Sequence, residues 1–239
     1  MLGYGAVPFL RLPWLAERFC KPNQPPPTLL TPVHQAMFIH YHQADLMIAE
    51  KPAGLLCQPG LGPELADSLL IRIRRDWPSA ELVHRLDRDT SGLLMLALAP
   101  ELHRALSRLF ADRQIEKTYI ADVAGTPDES EGCISLPIAK RCQRPPLYGV
   151  DPDGKPCLTE WRLVEGHAAW SRLELRPRTG RSHQLRVHLA AIGHPILGDP
   201  LYGEDATIAS DRLRLHASGL KFEHPFTAEV LTFHSECPF

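Results

Sequence analysis

The sequence predicts a single mixed α+β domain preceded by an irregular N-terminal extension. Segments with strand-like patterns come in runs that are interrupted by single helices, which differs from the regular alternation of a βαβ fold. The chain has 239 residues, of which 44% are hydrophobic and 23% charged, as in ordinary globular proteins. This length is sufficient for one domain with a substantial core.

The N-terminal segment is rich in proline. Seven prolines lie within the first 32 residues, and proline removes a backbone donor and restricts φ, which disfavours long helices and central strands. We therefore interpret residues 1–36 as an extension and 37–239 as the domain. A short docking helix is predicted within the extension, over residues 11–20.

The first elements of the domain follow from apolar spacing and from proline. A short strand is predicted over residues 45–49, ahead of Pro52. A helix is predicted over residues 65–77, ahead of Pro78, because apolar side chains recur there with helical spacing at Leu65, Leu69 and Ile73.

The remaining elements alternate between the two types. The continuous apolar run over residues 93–98 predicts a buried strand. Helical spacing predicts helices over residues 101–110 and 182–192. Further strands are predicted over residues 118–123, 158–164, 169–175 and 229–233.

Composition excludes several classes of protein. The longest apolar run, Leu93–Ala99, has seven residues, whereas a membrane helix needs about 20. We find no secretory signal pattern, and the six cysteines contain no C-x-x-C pair, which argues against a zinc ribbon or a disulfide scaffold. A cytoplasmic location without membrane association is expected.

Arginine is concentrated in one part of the chain. The net charge is −2, yet 20 of the 26 cations are arginine, and residues 172–186 hold five arginines against the single acid Glu174. A second basic patch comprises Lys140, Arg141 and Arg144. Such a strip indicates a surface for a polyanion, although a simple solvated face would have the same composition.

The residues His84–Gly92, with the sequence HRLDRDTSG, are the strongest candidate for a chemical centre. This polar segment immediately precedes the predicted buried strand, and loops held by rigid elements commonly carry catalytic groups. Taken by itself, the segment would also fit a capped turn with surface ion pairs.

Two other kinds of site are disfavoured. His183 and His188 are five residues apart, whereas a helical zinc pair requires a spacing of four with a glutamate between the histidines. Ser91 and Ser182 lack the G-x-S-x-G context of a serine hydrolase. No metal or other cofactor is expected.

The segment HRLDRDTSG resembles the signature loop of the RluA-type RNA pseudouridine synthases. Further blocks agree in order over roughly residues 42–235, and the spacing is most similar to the compact RluA subgroup, with no S4-like domain. One departure is Glu50, where the family usually has asparagine. The matching blocks are EKPAGL (50–55), KTYIA (117–121), TGRSHQLRVH (179–188), GHPILGD (193–199), LYG (201–203) and LHA (215–217).

This resemblance implies a fold and an activity. The expected fold is a mixed, mainly antiparallel sheet core of the pseudouridine synthase type with flanking helices and loops. The expected enzyme is an isomerase that converts uridines to pseudouridine in structured loops of 23S rRNA, tRNA or both, acting as a monomer without a cofactor. A catalytically silent RNA-binding or RNA-chaperone protein of the same fold is the alternative.

The resemblance also assigns roles to residues. Asp87 is the catalytic carboxylate, acting either covalently or in elimination to a glycal, and Arg186 is expected to form a bidentate pair with it. Tyr119 stacks on the uracil and relays a proton. Arg85 is the wedge that replaces a flipped base. Other RNA contacts are expected from Arg181, His183, Gln184 and Lys51.

Overall fold

The computed structural model describes residues 38–143, 146–203 and 210–239. Within these ranges it contains three α-helices: α1 (Leu69–Ile73), α2 (Pro100–Ala111) and α3 (Gln184–Ala191). A 3-10 turn covers Pro63–Leu65. The strands are β1 (Phe38–Gln43), β2 (Leu46–Lys51), β3 (Glu81–Leu82), β4 (Ser91–Ala97), β5 (Glu116–Ala124), β6 (Glu131–Ile134), β7 (Ile138–Gln143), β8 (Pro146–Val150), β9 (Thr159–Gly166), β10 (Trp170–Pro177), β11 (Leu215–Glu223) and β12 (Val230–His234).

Ten of these strands form one mixed sheet with the order β1-β2-β4-β11-β5-β10-β9-β6, with β3 beside β4 and β12 beside β11. Its pairs are antiparallel except for β4 with β11. β7 and β8 form a separate hairpin. The predicted α+β class with a mainly antiparallel sheet is therefore confirmed.

The parallel contact between β4 and β11 depends on a glycine and a buried polar chain. A Cβ atom at Gly92 would lie 2.3 Å from the carbonyl oxygen of Ala217, so a larger residue would force the strands apart. Beside it, His216 Nδ1 lies 2.8 Å from Ser91 Oγ, and His216 Nε2 lies 3.0 Å from Ser235 Oγ. Burial lowers the pKa of His216 to about 4, so the imidazole is neutral.

The sheet is covered on both faces. Met47 and Leu94 pack with α1 on one face, while Ile48 and Met95 pack with α2 on the other. A third cluster joins α3 to β5 and β10. Because β4 is buried on both faces, its sequence from Leu93 to Ala97 is continuously apolar rather than alternating. No helix in the described part of the chain is long and apolar enough to cross a membrane.

Most predicted elements are confirmed with small shifts of their ends. The exception is the helix predicted over residues 65–77, of which only α1 and the 3-10 turn form. Ser68 is extended there and its side chain accepts a hydrogen bond from Ile71 N, so it begins a new helix instead of continuing one. The strands β1, β3, β6, β7, β8 and β11 were not predicted. The predicted helix at 11–20 lies outside the described residues.

Candidate active site

Three segments that are distant in the sequence line one pocket. They are the loop 85–90 before β4, the start of β5 at residues 117–119, and the turn and helix start at 177–186. The central sheet explains this convergence, since β4 and β5 both border β11. Asp87, Tyr119 and Arg186, the three predicted catalytic residues, all line the pocket.

Lys51 holds the Asp87 loop through a hydrogen bond to the backbone of Arg88. Its ammonium donates to the carbonyl oxygens of Pro52, Leu55 and Arg88, each at 2.8 Å, and the residue is fully buried. Burial lowers its pKa to about 8. All three donors are used within the protein, in contrast to the predicted RNA contact of Lys51.

The Asp87 loop is also held by a buried thiol. Cys57 Sγ donates to the carbonyl oxygen of Leu86 at 3.1 Å and accepts from its amide at 3.2 Å. The next turn is closed by Thr90 N, which donates to the Asp87 carbonyl at 3.2 Å. The backbone on both sides of the catalytic candidate is therefore fixed, while the Asp87 side chain stays 29% exposed toward the pocket.

The expected bidentate pair between Arg186 and Asp87 is wrong. Arg186 forms its bidentate pair with Asp199, with Nε–Oδ2 and Nη2–Oδ1 distances of 2.7 and 2.6 Å. Its contact with Asp87 is a single longer ion pair, 3.7 Å from Nη1 to Oδ2. The reason is the loop after residue 198, which folds Asp199 against α3.

Arg186 is nevertheless a buried, fixed positive charge beside Asp87. Its side chain is 3% exposed. Burial acts to lower the pKa of this guanidinium, but the hydrogen bonds and charge of Asp199, helped by Asp87, outweigh it and raise the pKa. The Tyr202 ring lies 5.1 Å from the guanidinium carbon, a distance typical of a cation–π contact.

Tyr202 connects this centre to the β7–β8 hairpin. Its hydroxyl oxygen accepts from Tyr148 N at 3.0 Å and lies 2.7 Å from His183 Nδ1. Burial raises the pKa of Tyr202 to about 12 and lowers that of His183. His183 lines the pocket as predicted, but one ring nitrogen already has a partner within the protein.

Tyr119 lies on β5 and lines the pocket. Burial raises its pKa, and the negative charge of Asp87 raises it further. The hydroxyl is therefore a neutral phenol at physiological pH. A neutral hydroxyl can still relay a proton, because it accepts one proton while it donates another.

Gln184 organises the turn before α3 and is buried. Its amide oxygen accepts from Thr179 Oγ1 and from Arg181 N, and its amide nitrogen donates to Leu158 O and Thr159 Oγ1. Its amide oxygen and nitrogen thus already have partners within the protein, whereas the sequence analysis predicted that Gln184 contacts RNA. Arg181 itself is exposed at the pocket edge.

Most of the basic strip is neutralised by acids on neighbouring strands. Arg172 pairs with Asp122 and Arg178 pairs with Glu160, both bidentately, while Arg176 pairs with Glu174. In contrast, neither Arg85 nor Arg181 has an ion pair among the described residues. Both of these arginines line the pocket.

Comparison with known proteins identifies the family. Residues 45–191 match the family model described as RNA pseudouridylate synthase. The chain belongs to this family. It is 44% identical over 206 residues to the dual-specificity RNA pseudouridine synthase RluA of Escherichia coli strain K12, covering 85% of this chain and 94% of that protein. The RluA of Yersinia pestis is 43% identical over 206 residues, with 85% and 100% covered.

A solved structure agrees with this assignment. Human RNA Pseudouridylate Synthase Domain Containing 1 superposes with a TM-score of 0.74 at 29% identity, covering 88% of this chain and 87% of that one. This protein is thus an RluA-type RNA pseudouridine synthase, an isomerase whose substrate is RNA. The described residues contain no group of three His, Cys, Asp or Glu side chains that could hold a metal ion.

Three residues in or next to the pocket had no assigned role in the sequence analysis. Asp199 and Tyr202 belong to the matching blocks GHPILGD and LYG, and Lys117 begins the block KTYIA. Their positions in those matching blocks were the only indication in the sequence that these residues belong to the site. Their contacts with Arg186 or the pocket depend on the folded structure.

Proposed function

We propose that this pseudouridine synthase isomerises specific uridines in structured loops of both 23S rRNA and tRNA. Support for two RNA classes comes from the relatives that are named dual-specificity enzymes. The reaction breaks the bond between uracil N1 and the sugar C1′, turns the base and joins C5 to C1′, while C5 loses a proton and N1 gains one. The base is retained throughout, so no external co-reactant is consumed.

The observation that supports the mechanism is the convergence of Asp87, Tyr119 and Arg186 on one pocket. Asp87 is the carboxylate that acts at the sugar or base. Arg186 provides a fixed positive charge 3.7 Å from this carboxylate. Tyr119 stacks on the uracil and relays the proton from C5. Both the covalent and the glycal route use these three groups.

Base flipping is part of this proposal. A stacked uridine hides its reacting atoms, so it must leave the stack at a cost of a few kcal/mol. Arg85 is exposed, lines the same pocket as Asp87 and lies two residues before it in a segment without helix or strand. We assign Arg85 to the space that the flipped uridine leaves.

We propose a monomer as the active species. We place this activity in the cytoplasm, where both classes of RNA occur. Light scattering during size-exclusion chromatography measures the first of these points, and imaging of a tagged protein measures the second.

The decisive experiment measures tritium release from [5-³H]uridine-labelled 23S rRNA fragments and tRNA. Asp87→Asn should lower turnover by at least about 10³-fold with RNA affinity preserved. The matched control is Asp89→Asn, because Asp89 is equally exposed, at 30% against 29%, but pairs with Arg88. This control should retain activity.

Two outcomes would contradict the proposal. Asp87→Asn turnover within tenfold of the wild type would remove this carboxylate from the chemistry. Binding of RNA by the wild type without any tritium release would favour the silent RNA-binding or chaperone alternative.

A further inference from the structure

Lys117 is a pocket residue with no role in the mechanism above. It lies on β5 two positions before Tyr119, and side chains two residues apart on a strand point to the same face. Both side chains accordingly line the pocket. The next residue back, Glu116, faces the other way and pairs with Lys221 of β11 at 3.4 Å.

The Lys117 ammonium is a partly buried charge without a counter-charge. Among the described residues it has no hydrogen bond and no carboxylate within ion-pair distance. Burial lowers its pKa, and the nearby positive charge of Arg113 lowers it further. An unpaired cation in such a place costs free energy, and an anionic ligand would offset that cost.

The turn at Gly180 leaves this ammonium accessible from the pocket. A Cβ atom at Gly180 would lie 3.9 Å from Lys117 Nζ, so any side chain longer than alanine would cover the amine. The adjacent Arg181 is exposed and also lines the pocket. Gly180 thus lies between two pocket-lining cations without acidic partners, close to Lys117 in space and next to Arg181 in the chain.

We propose that Lys117 and Arg181, on either side of Gly180, form a subsite for one backbone phosphate next to the target uridine. This inference rests on the proposed function, since it requires an RNA whose uridine enters the same pocket. A phosphodiester is the anion that accompanies every nucleotide, and a compact ammonium suits its non-bridging oxygens. The subsite positions the nucleotide and takes no part in the chemistry at C1′.

The test replaces the charged phosphates around the target uridine, one at a time, by uncharged methylphosphonates. On unmodified RNA, Lys117→Met should lower kcat/KM by about tenfold to a hundredfold, the range for one charge-assisted hydrogen bond. Wild-type enzyme should show a similar loss with one of the methylphosphonates. With that RNA, Lys117→Met should lose no more, because the contact is already absent.

The matched control is Lys221→Met, one register position away on the opposite face of the sheet, which should leave kcat/KM unchanged. Lys117→Arg keeps the charge and should recover most of the activity. If the losses from Lys117→Met and from every methylphosphonate simply multiply, the subsite does not exist. Failure of the wild type to modify unmodified RNA would instead refute the proposed function.

Discussion

Replacement of Asp199 by asparagine should destabilise the protein strongly, although Asp199 lies outside the predicted catalytic set. The substitution keeps the shape of the side chain but removes the charge that faces Arg186, whose side chain is only 3% exposed. Loss of one partner from a buried ion pair costs about 3–5 kcal/mol. Asparagine still offers one oxygen to the amides of Leu201 and Tyr202, which Asp199 Oδ1 bonds at 2.9 and 3.1 Å, so we expect about 3 kcal/mol.

For a chain of this size, a loss of about 3 kcal/mol lowers the midpoint of thermal unfolding by roughly 6–12 °C. Differential scanning calorimetry measures this shift. The matched control is Glu160→Gln, which disrupts the bidentate pair between Glu160 and Arg178. These two side chains are 40% and 51% exposed, respectively. Exposed pairs contribute about 0–1 kcal/mol, so the control should unfold close to the wild-type temperature.

The double variant Arg186→Met/Asp199→Asn tests whether the loss of stability in Asp199→Asn comes from the buried charge of Arg186. It removes the guanidinium that has lost its bidentate partner, and the amide of asparagine continues to accept from the loop backbone. We expect it to regain most of the lost stability while remaining inactive. A double variant as unstable as Asp199→Asn, or equal shifts for Asp199→Asn and Glu160→Gln, would refute the argument from buried charge.

Three further predictions concern proton transfer, RNA binding and pH. Tyr119→Phe should bind RNA normally and lose most tritium release, since stacking persists without the hydroxyl; full activity would limit Tyr119 to packing. Arg181→Ala should flatten the slope of log affinity against log salt by about 0.7, one single-strand phosphate, whereas Arg178→Ala, already paired with Glu160, should not. His216 has a folded pKa of about 4 against about 6.5 unfolded, so stability should fall as pH drops between these values, by about 1.4 kcal/mol per pH unit. In urea titrations, His216→Asn should reduce that fall.

Local patterns predicted the elements whose environment is simple. β4 is continuously apolar from Leu93 to Ala97 because both of its faces are buried, and α2 shows its apolar stripe in the sequence. β11 was not predicted because it is central yet carries the buried polar residues His216 and Ser218. Their partners, among them Ser91 and Ser235, come from other parts of the chain, so no local pattern reveals that these positions are buried.

The site was predictable as a set of residues but not as a set of contacts. The resemblance placed Asp87, Tyr119 and Arg186 together, and the structure brings them to one pocket. It could not assign the partners of each charge, because Asp199 reaches Arg186 only through the folding of a distant loop. The same holds for Lys51, because one of its three carbonyl partners, that of Arg88, reaches it only when the Asp87 loop packs beside β2.

The contacts of Arg186 with two carboxylates suit the proposed mechanism better than a bidentate pair with Asp87 would. A guanidinium fork on Asp87 would occupy both of its carboxylate oxygens and leave neither free for the substrate. With the fork on Asp199, the 3.7 Å ion pair supplies positive charge to Asp87 without that occupation. In the proposed mechanism, Arg186 also stays anchored while Asp87 reacts, because Asp199 holds the guanidinium through two hydrogen bonds. The electrostatic field at Asp87 is therefore fixed before substrate binds, which is the condition under which such a field assists catalysis most.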